Sequence, residues 1–353
     1  MQFERHAFWI AALLVVVGLL WLLSPILLPF VLGLALAYAL APPADRLARH
    51  GMSRLAAALI ILGAFVLAFV VLLLLIAPIL AYQFSGFIDH IPGYVARLQS
   101  LLSDPGHPWH KRVVGDNLGS KSVGDLTSQA VGYLSGLVAS LWAKGQALLS
   151  IFSLLVIAPV VAFYMICDWS RMVESLDRLI PLPQRETVRG LAREIDAAIS
   201  AYLRGQSGIC FILGAYYAVA LTLAGLSFGL LIGVVSGIVS FIPYVGSLTA
   251  LLLSLGVAIA QFFPDWSRIL IVVGIVLLGQ FIEGYVLSPK LVGKSVGLHP
   301  VWLMFALFAF GYLFGFVGLL LAVPLAAATA VLMRFALQRY RASPLYTGTR
   351  ATR

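Results

Sequence analysis

The chain has 353 residues, of which 61% are hydrophobic and only 10% charged, with a formal net charge of +9. Soluble globular domains carry about 25% charged and about half apolar residues, so a mean hydropathy of +1.02 excludes a water-soluble protein of ordinary build. The basic residues lie in loops and tails beside apolar stretches, a placement that membrane topology explains and that does not call for nucleic acid as a partner.

Apolar runs near the ~20 residues of a membrane helix recur along most of the chain. The first, 8–23, follows Arg5 in the manner of a signal peptide. It reads as retained, because a second run, 26–41, follows directly and the Ala39-Leu40-Ala41 sequence lies too deep for cleavage. A basic linker, 42–54, with Arg46, Arg49 and Arg54, leads to a third span at 55–80. Residues 1–81 thus form an N-terminal membrane region.

Residues 82–146 are more polar and hold the turn Asp104-Pro105-Gly106-His107-Pro108. Leu126, Ala130, Tyr133, Leu137 and Leu141 then repeat at helical spacing, so an extracytoplasmic helical region is expected before the span 147–167. The segment 168–206 is the most charged. Val188, Leu191, Ile195, Ile199 and Tyr202 form one stripe and Arg185, Arg189 and Arg193 another, a cytoplasmic amphipathic helix. Its arginines either rest on anionic headgroups or form a solvated face balanced by Glu186, Glu194 and Asp196.

The C-terminal region 207–336 reads as a transport core, with spans at 207–226, 228–242, 247–263 and 268–287 and a long pair between 300 and 336. The 228–242 run is short for a crossing and with 247–263 makes a broken hairpin, re-entrant or spanning. A basic tail, 337–353, closes the chain. Placing the N-terminus, 42–54, 168–206, 288–299 and the tail in the cytoplasm gathers most of the 23 Lys and Arg there, so both termini are expected inside.

Glu283 is the one acidic residue inside a long apolar run. A carboxylate at mid-bilayer costs about 2.5–3.5 kcal/mol on insertion scales, unless a partner, a wet cavity or a proton relieves it. Gln280, three residues earlier, projects from nearly the same helical face, and Gly279 and Gly284 leave room for backbone or ligand. The pair is the candidate site for solute or ion coupling. The plainer reading is a buried Glu hydrogen-bonded to a neighbouring helix.

Pro243, Tyr244, Gly246 and Ser247 interrupt two apolar runs, and Phe316-Val317-Gly318-Leu319-Leu320 echoes the same local pattern. Broken helices in matching halves point to transporter binding sites. The series Gly229, Gly233, Gly237 and Gly311, Gly315, Gly318 reads mainly as close helix packing.

Two further patterns lack the context their chemistry requires. Gly225-Leu226-Ser227-Phe228-Gly229 matches a nucleophile elbow but joins two apolar helices, and His299, the nearest base in sequence, precedes Pro300 as at a helix start. Gly115 to Ser122 resembles a phosphate loop with the wrong spacing. Cys167 and Cys210 lie far from any Cys/His cluster. No catalytic residue, metal or cofactor is therefore expected.

Taken in order, these landmarks resemble the autoinducer-2 exporter family of PerM-like permeases over nearly the full length. The resemblance rests on Phe163 through Asp168, on Tyr202-Leu203-Arg204-Gly205-Gln206, and on Ile242 through Gly246. It is strongest at Gln280 through Glu283, Leu287-Ser288-Pro289-Lys290, Gly293-Lys294, Leu298-His299-Pro300, Gly315 through Gly318, and Val323-Pro324. Ser247 departs from it, since the family pattern usually has Pro there, which implies a less rigid hairpin.

The resemblance implies an all-α polytopic membrane protein of about eight transmembrane helices, located in the inner membrane. It further implies a homo-oligomer, pentameric in better-studied relatives, that moves in an elevator-like way. The leading expectation is a secondary transporter exporting a small polar solute such as autoinducer-2. A sodium or proton antiporter working through Glu283, and a non-transporting membrane scaffold, are the alternatives.

Overall fold

The computed structural model describes residues 18–19, 21–103, 146–293, 299–343 and 346. All secondary structure among them is helical. Eight α-helices follow in order: α1 (Leu28–Arg49), α2 (Arg54–Ser103), α3 (Gln146–Arg178), α4 (Arg185–Leu223), α5 (Gly229–Val239), α6 (Val245–Phe262), α7 (Trp266–Phe281) and α8 (Pro300–Arg341). A π-helix, Ile282–Val292, continues directly from α7. Among the described residues seven helical segments are long and apolar enough to cross a membrane, α7 together with its π-helical continuation; α5, with 11 residues, is not. At 1.5 Å per residue α5 reaches only about 16 Å, half the hydrocarbon thickness.

Most of the expected first span and of the extracytoplasmic region, including Leu126 through Leu141, lies outside the described residues. Elsewhere the helices run past the boundaries drawn from sequence. The helix α1 continues through Pro42 and Pro43 to Arg49, where a linker is expected. Packing accounts for this: Ala44, beyond the prolines, is only 3% exposed and sits in a core with Ala37, Ala58, Leu62, Ala162 and Ile166. The helix α4 likewise passes unbroken through residue 206, where the charged segment gives way to an apolar run.

The chain divides into two compact units. One comprises 1–66, 153–207 and 289–353. Its helices approach through small residues: a side chain on Gly33 would meet the Ala158 carbonyl at 2.7 Å, so α1 and α3 touch backbone to backbone. That is the packing by which apolar helices associate without water to drive them. In the same unit Arg189 forms a two-pronged bond to Asp177, at 2.7 and 2.6 Å, and Arg185 lies 3.6 Å from Asp177. Glu194 pairs with Arg334 at 2.7 Å. Two of the three stripe arginines of α4 are thus tied across the α3–α4 turn to an acid outside the set expected to balance them, while Arg193 bonds to the Arg189 carbonyl on its own helix.

The long apolar stretch of α8 is a helical pair. Gly315 adopts φ 60°, ψ −139°, and Gly318 lies against the backbone of Phe310. Residues eight apart in a straight helix are separated by about 12 Å. The chain therefore doubles back at Gly315.

The other unit comprises 67–152 and 208–288. Here Gly229, Gly233 and Gly237 on α5 face Leu221, Ala218 and Gly214 on α4, each approach too close for any side chain. The glycine series is a packing face, as its spacing predicts. The helices α5 and α6 form an antiparallel hairpin whose break holds Tyr244 at φ 67°, a left-handed conformation rare for a residue with a side chain.

Candidate functional site

The second unit holds Glu283 and Gln280. Gln280 is in the last turn of α7 and Glu283 in the first turn of the π-helix, and both are half-buried. π-Helical turns are rare and concentrate at functional positions, because the wider turn re-aims side chains relative to the preceding helix. Glu283 lies within electrostatic reach of Cys210 and Tyr217 on α4. Among the described residues it forms neither an ion pair nor a hydrogen bond, and the same holds for Gln280. The hydrogen-bonded Glu of the plainer reading is not seen here.

Tyrosines shape one wall. The Tyr216 hydroxyl donates to the Ile275 carbonyl at 2.9 Å, and Tyr217, 1% exposed, reaches the Val276 carbonyl at 3.5 Å. The ring of Tyr217 fills the space left by Gly279, so that glycine admits a protein side chain and not a ligand. Gly284 has nothing within 4 Å of where a side chain would begin. Of the two glycines flanking the candidate pair, Gly284 alone leaves open space.

The hairpin break is closed tightly. Gly246 sits against the backbone of Ser240, and Pro243 is half-buried. The Ser247 hydroxyl donates to the Tyr244 carbonyl at 3.0 Å, a tie that a proline in that place could not make. Two residues without a sequence motif hold the other end. The Gln83 side chain accepts from the Leu231 amide at 3.0 Å in the first turn of α5, while Phe87 and His90 pack on Phe228. Gln261 accepts from the Ser227 amide at 2.8 Å and donates to the Gly225 carbonyl at 3.0 Å. A lone glutamine in an apolar run was the available signal for both.

The remaining motif positions are spread over the first unit. Asp168 lies 3.6 Å from Arg171 on its own helix. Gly205 meets the backbone of Leu291, which lets the π-helix lie directly on α4, and Gln206 is buried at 5%. Pro289 is an exposed member of the π-helix, and Pro324 is buried in α8. His299 caps α8 by accepting from the Val301 amide at 3.3 Å, with Pro300 at the first helical position. Lys294 lies outside the described residues. Arg204 lines a cavity on α4.

The Gly225–Gly229 turn joins α4 to α5, so the strand that a nucleophile elbow requires is missing there. Among the described residues no group of three or more His, Cys, Asp or Glu could hold a metal ion.

The curated relatives carry the names of transport proteins and permeases. The transport protein named YrrI from Bacillus subtilis (strain 168) is 29% identical over 318 residues, covering 89% of this chain and 87% of its own. The permease named PerM from Escherichia coli (strain K12) is 28% identical over 340 residues, covering 92% and 94%. A transport protein named sll0060 from Synechocystis is 25% identical over 310 residues. The family model described as AI-2E family transporter matches residues 10–338, nearly all of the sequence in which the apolar helices and Glu283 lie. The chain belongs to the AI-2E transporter family.

Proposed function

We propose that the protein is a secondary transporter that exports a small polar solute, such as autoinducer-2, with Glu283 and Gln280 in the translocation region. Family membership carries the coarser part, a multi-pass membrane protein that moves a solute. The observation that carries the finer part is the half-buried carboxylate of Glu283, which forms no ion pair and no hydrogen bond among the described residues. An intramembrane acid left in that state is stabilised by a proton, an ion or a cargo group. The short α5 and the break at Pro243 to Ser247 support a re-entrant hairpin close to the path, since non-helical backbone at membrane depth is tolerated where it lines a cavity. The inner membrane, cytoplasmic termini and a homo-oligomer belong to this proposal.

The same unpartnered carboxylate favours a second reading, sodium or lithium exchange for protons through Glu283. Reconstitution of Glu283→Gln in liposomes tests both. Solute flux and its proton dependence are expected to fall together; unchanged flux and unchanged proton dependence would remove Glu283 from the mechanism. A vesicle pH dye separates the readings. A pH change on adding sodium or lithium, without solute, selects the antiporter.

A further inference from the structure

A cavity of about 340 Å³ opens in the first unit, walled by α1, α3, α4 and the start of α2. Its lining is periodic. On α4, Asp196, Ser200 and Arg204 follow at four-residue steps and so share one side of the helix. Tyr38, Asp45 and Arg49 do the same on α1 at steps of seven and four. Arg54 begins α2, and Trp169 of α3 stands edge-on to Tyr38 at 6.1 Å.

The charges in this cavity are unevenly matched. Asp196 is engaged by the Tyr38 hydroxyl at 2.6 Å. Asp45 lies 3.7 Å from Arg54, which also donates to Ser170 at 2.9 Å. Arg49 uses its Nε alone, on the Asp45 carbonyl at 3.3 Å. Arg204 makes no hydrogen bond or ion pair among the described residues, though it is within electrostatic reach of Tyr38. Two guanidinium forks are thus left with terminal N–H groups to give.

Ser200 is an independent sign of a ligand. It is only 7% exposed, it lines the cavity, and its hydroxyl has no hydrogen-bond partner among the described residues. The hydroxyl itself stays accessible while the rest of the residue is packed away, so it is presented to the cavity as a free donor.

We propose that this cavity binds a phosphate-type oxyanion, held by the guanidinium forks of Arg204 and Arg49 with the Ser200 hydroxyl as a further donor. A planar fork matches two oxygens of a phosphate at once, which a lysine cannot do. Three arginines against two aspartates leave a small positive excess, suited to a phosphate mono- or diester and not to a polyanion. The indole of Trp169 offers an apolar wall to the organic stem of such an ester. An anionic phospholipid headgroup and a small phosphorylated solute both carry this chemistry.

Full-length protein in detergent is titrated with inorganic phosphate and with glycerol 3-phosphate, by calorimetry and by melting temperature. It is also melted in nanodiscs of phosphatidylcholine with and without phosphatidylglycerol. Arg204→Gln and Arg49→Gln are expected to weaken ester binding, or the phosphatidylglycerol effect, by about tenfold or more. Arg268→Gln, exposed and outside the cavity, should leave it unchanged. Arg204→Lys keeps the charge without the fork, so an intermediate loss in a normally folded protein identifies bidentate binding. Stabilisation by phosphatidylglycerol but not by soluble ester assigns the headgroup, and the reverse assigns a free solute. No effect of either, or an equal loss in Arg268→Gln, overturns the proposal.

Discussion

The hydroxyl of Tyr38 donates to Oδ1 of Asp196 over 2.6 Å, joining α1 to α4 across 158 residues of sequence. Both partners keep solvent contact, so the bond contributes about 1 kcal/mol rather than the larger value of a fully buried charged pair. Tyr38→Phe keeps the ring contact with Trp169 and removes only the hydroxyl. It should lower Tm by a few degrees in a thermal melt of the purified protein. No change would mean that water replaces the bond without loss.

Gly205 and Gly284 predict opposite outcomes for one substitution. A methyl group at Gly205 would strike the main chain of Leu291, which cannot rotate away, whereas one at Gly284 meets nothing within 4 Å. Gly205→Ala should destabilise by about 1–3 kcal/mol through overpacking, and Gly284→Ala should stay within about 0.5 kcal/mol of the parent. Parallel melting curves of the two variants make the comparison. Equal curves would place the π-helix farther from α4 than the structure has it.

Gly315 turns the chain at φ 60°, ψ −139°, a region that only glycine occupies readily. Gly315→Ala is expected to cost about 1–3 kcal/mol in backbone strain alone. Gly311→Ala should cost less, because its close neighbour is the movable side chain of Leu319. Ranking the two by residual folded fraction after heating checks the order.

Gln261 holds the α4–α5 turn by bonds to the Ser227 amide and the Gly225 carbonyl. Gln261→Ala leaves both groups without that partner, a loss of about 1–3 kcal/mol. Gln261→Glu keeps the acceptor and loses the donor, so it should fall between alanine and the parent. Amide hydrogen exchange at Ser227 reads the loss directly, and faster exchange is expected in the alanine variant only.

The helices were legible because apolar runs in lipid have no other way to satisfy their backbone. Their ends were less so. The linker expected over 42–54 begins at Pro42 and Pro43, but Ala44 is drawn into the core by partners that lie far off in sequence, at Ala58 and Ala162. The boundary near residue 206 is a change of composition within one helix and leaves no mark on the backbone.

The candidate site was legible in part. Glu283 and Gln280 stand out against an apolar background, and the Gly229, Gly233, Gly237 spacing announces a packing face. That Tyr217 occupies the gap at Gly279 depends on how α4 meets α7, which no local pattern encodes. The oxyanion cavity combines stripes on α1 and α4 that carry no signal until they face each other.

The helix α5 ends at Val239, α6 begins at Val245, and between them Tyr244 gives its carbonyl to Ser247. Helix ends expose main-chain groups that have no partner along the helix, and a hydrocarbon layer supplies none. Here the turn itself supplies several, since the Phe241, Ile242, Val245 and Gly246 amides donate to carbonyls three or four residues back. A tip that carries its own hydrogen bonds can sit at membrane depth without a charged side chain or a chain of waters to satisfy it.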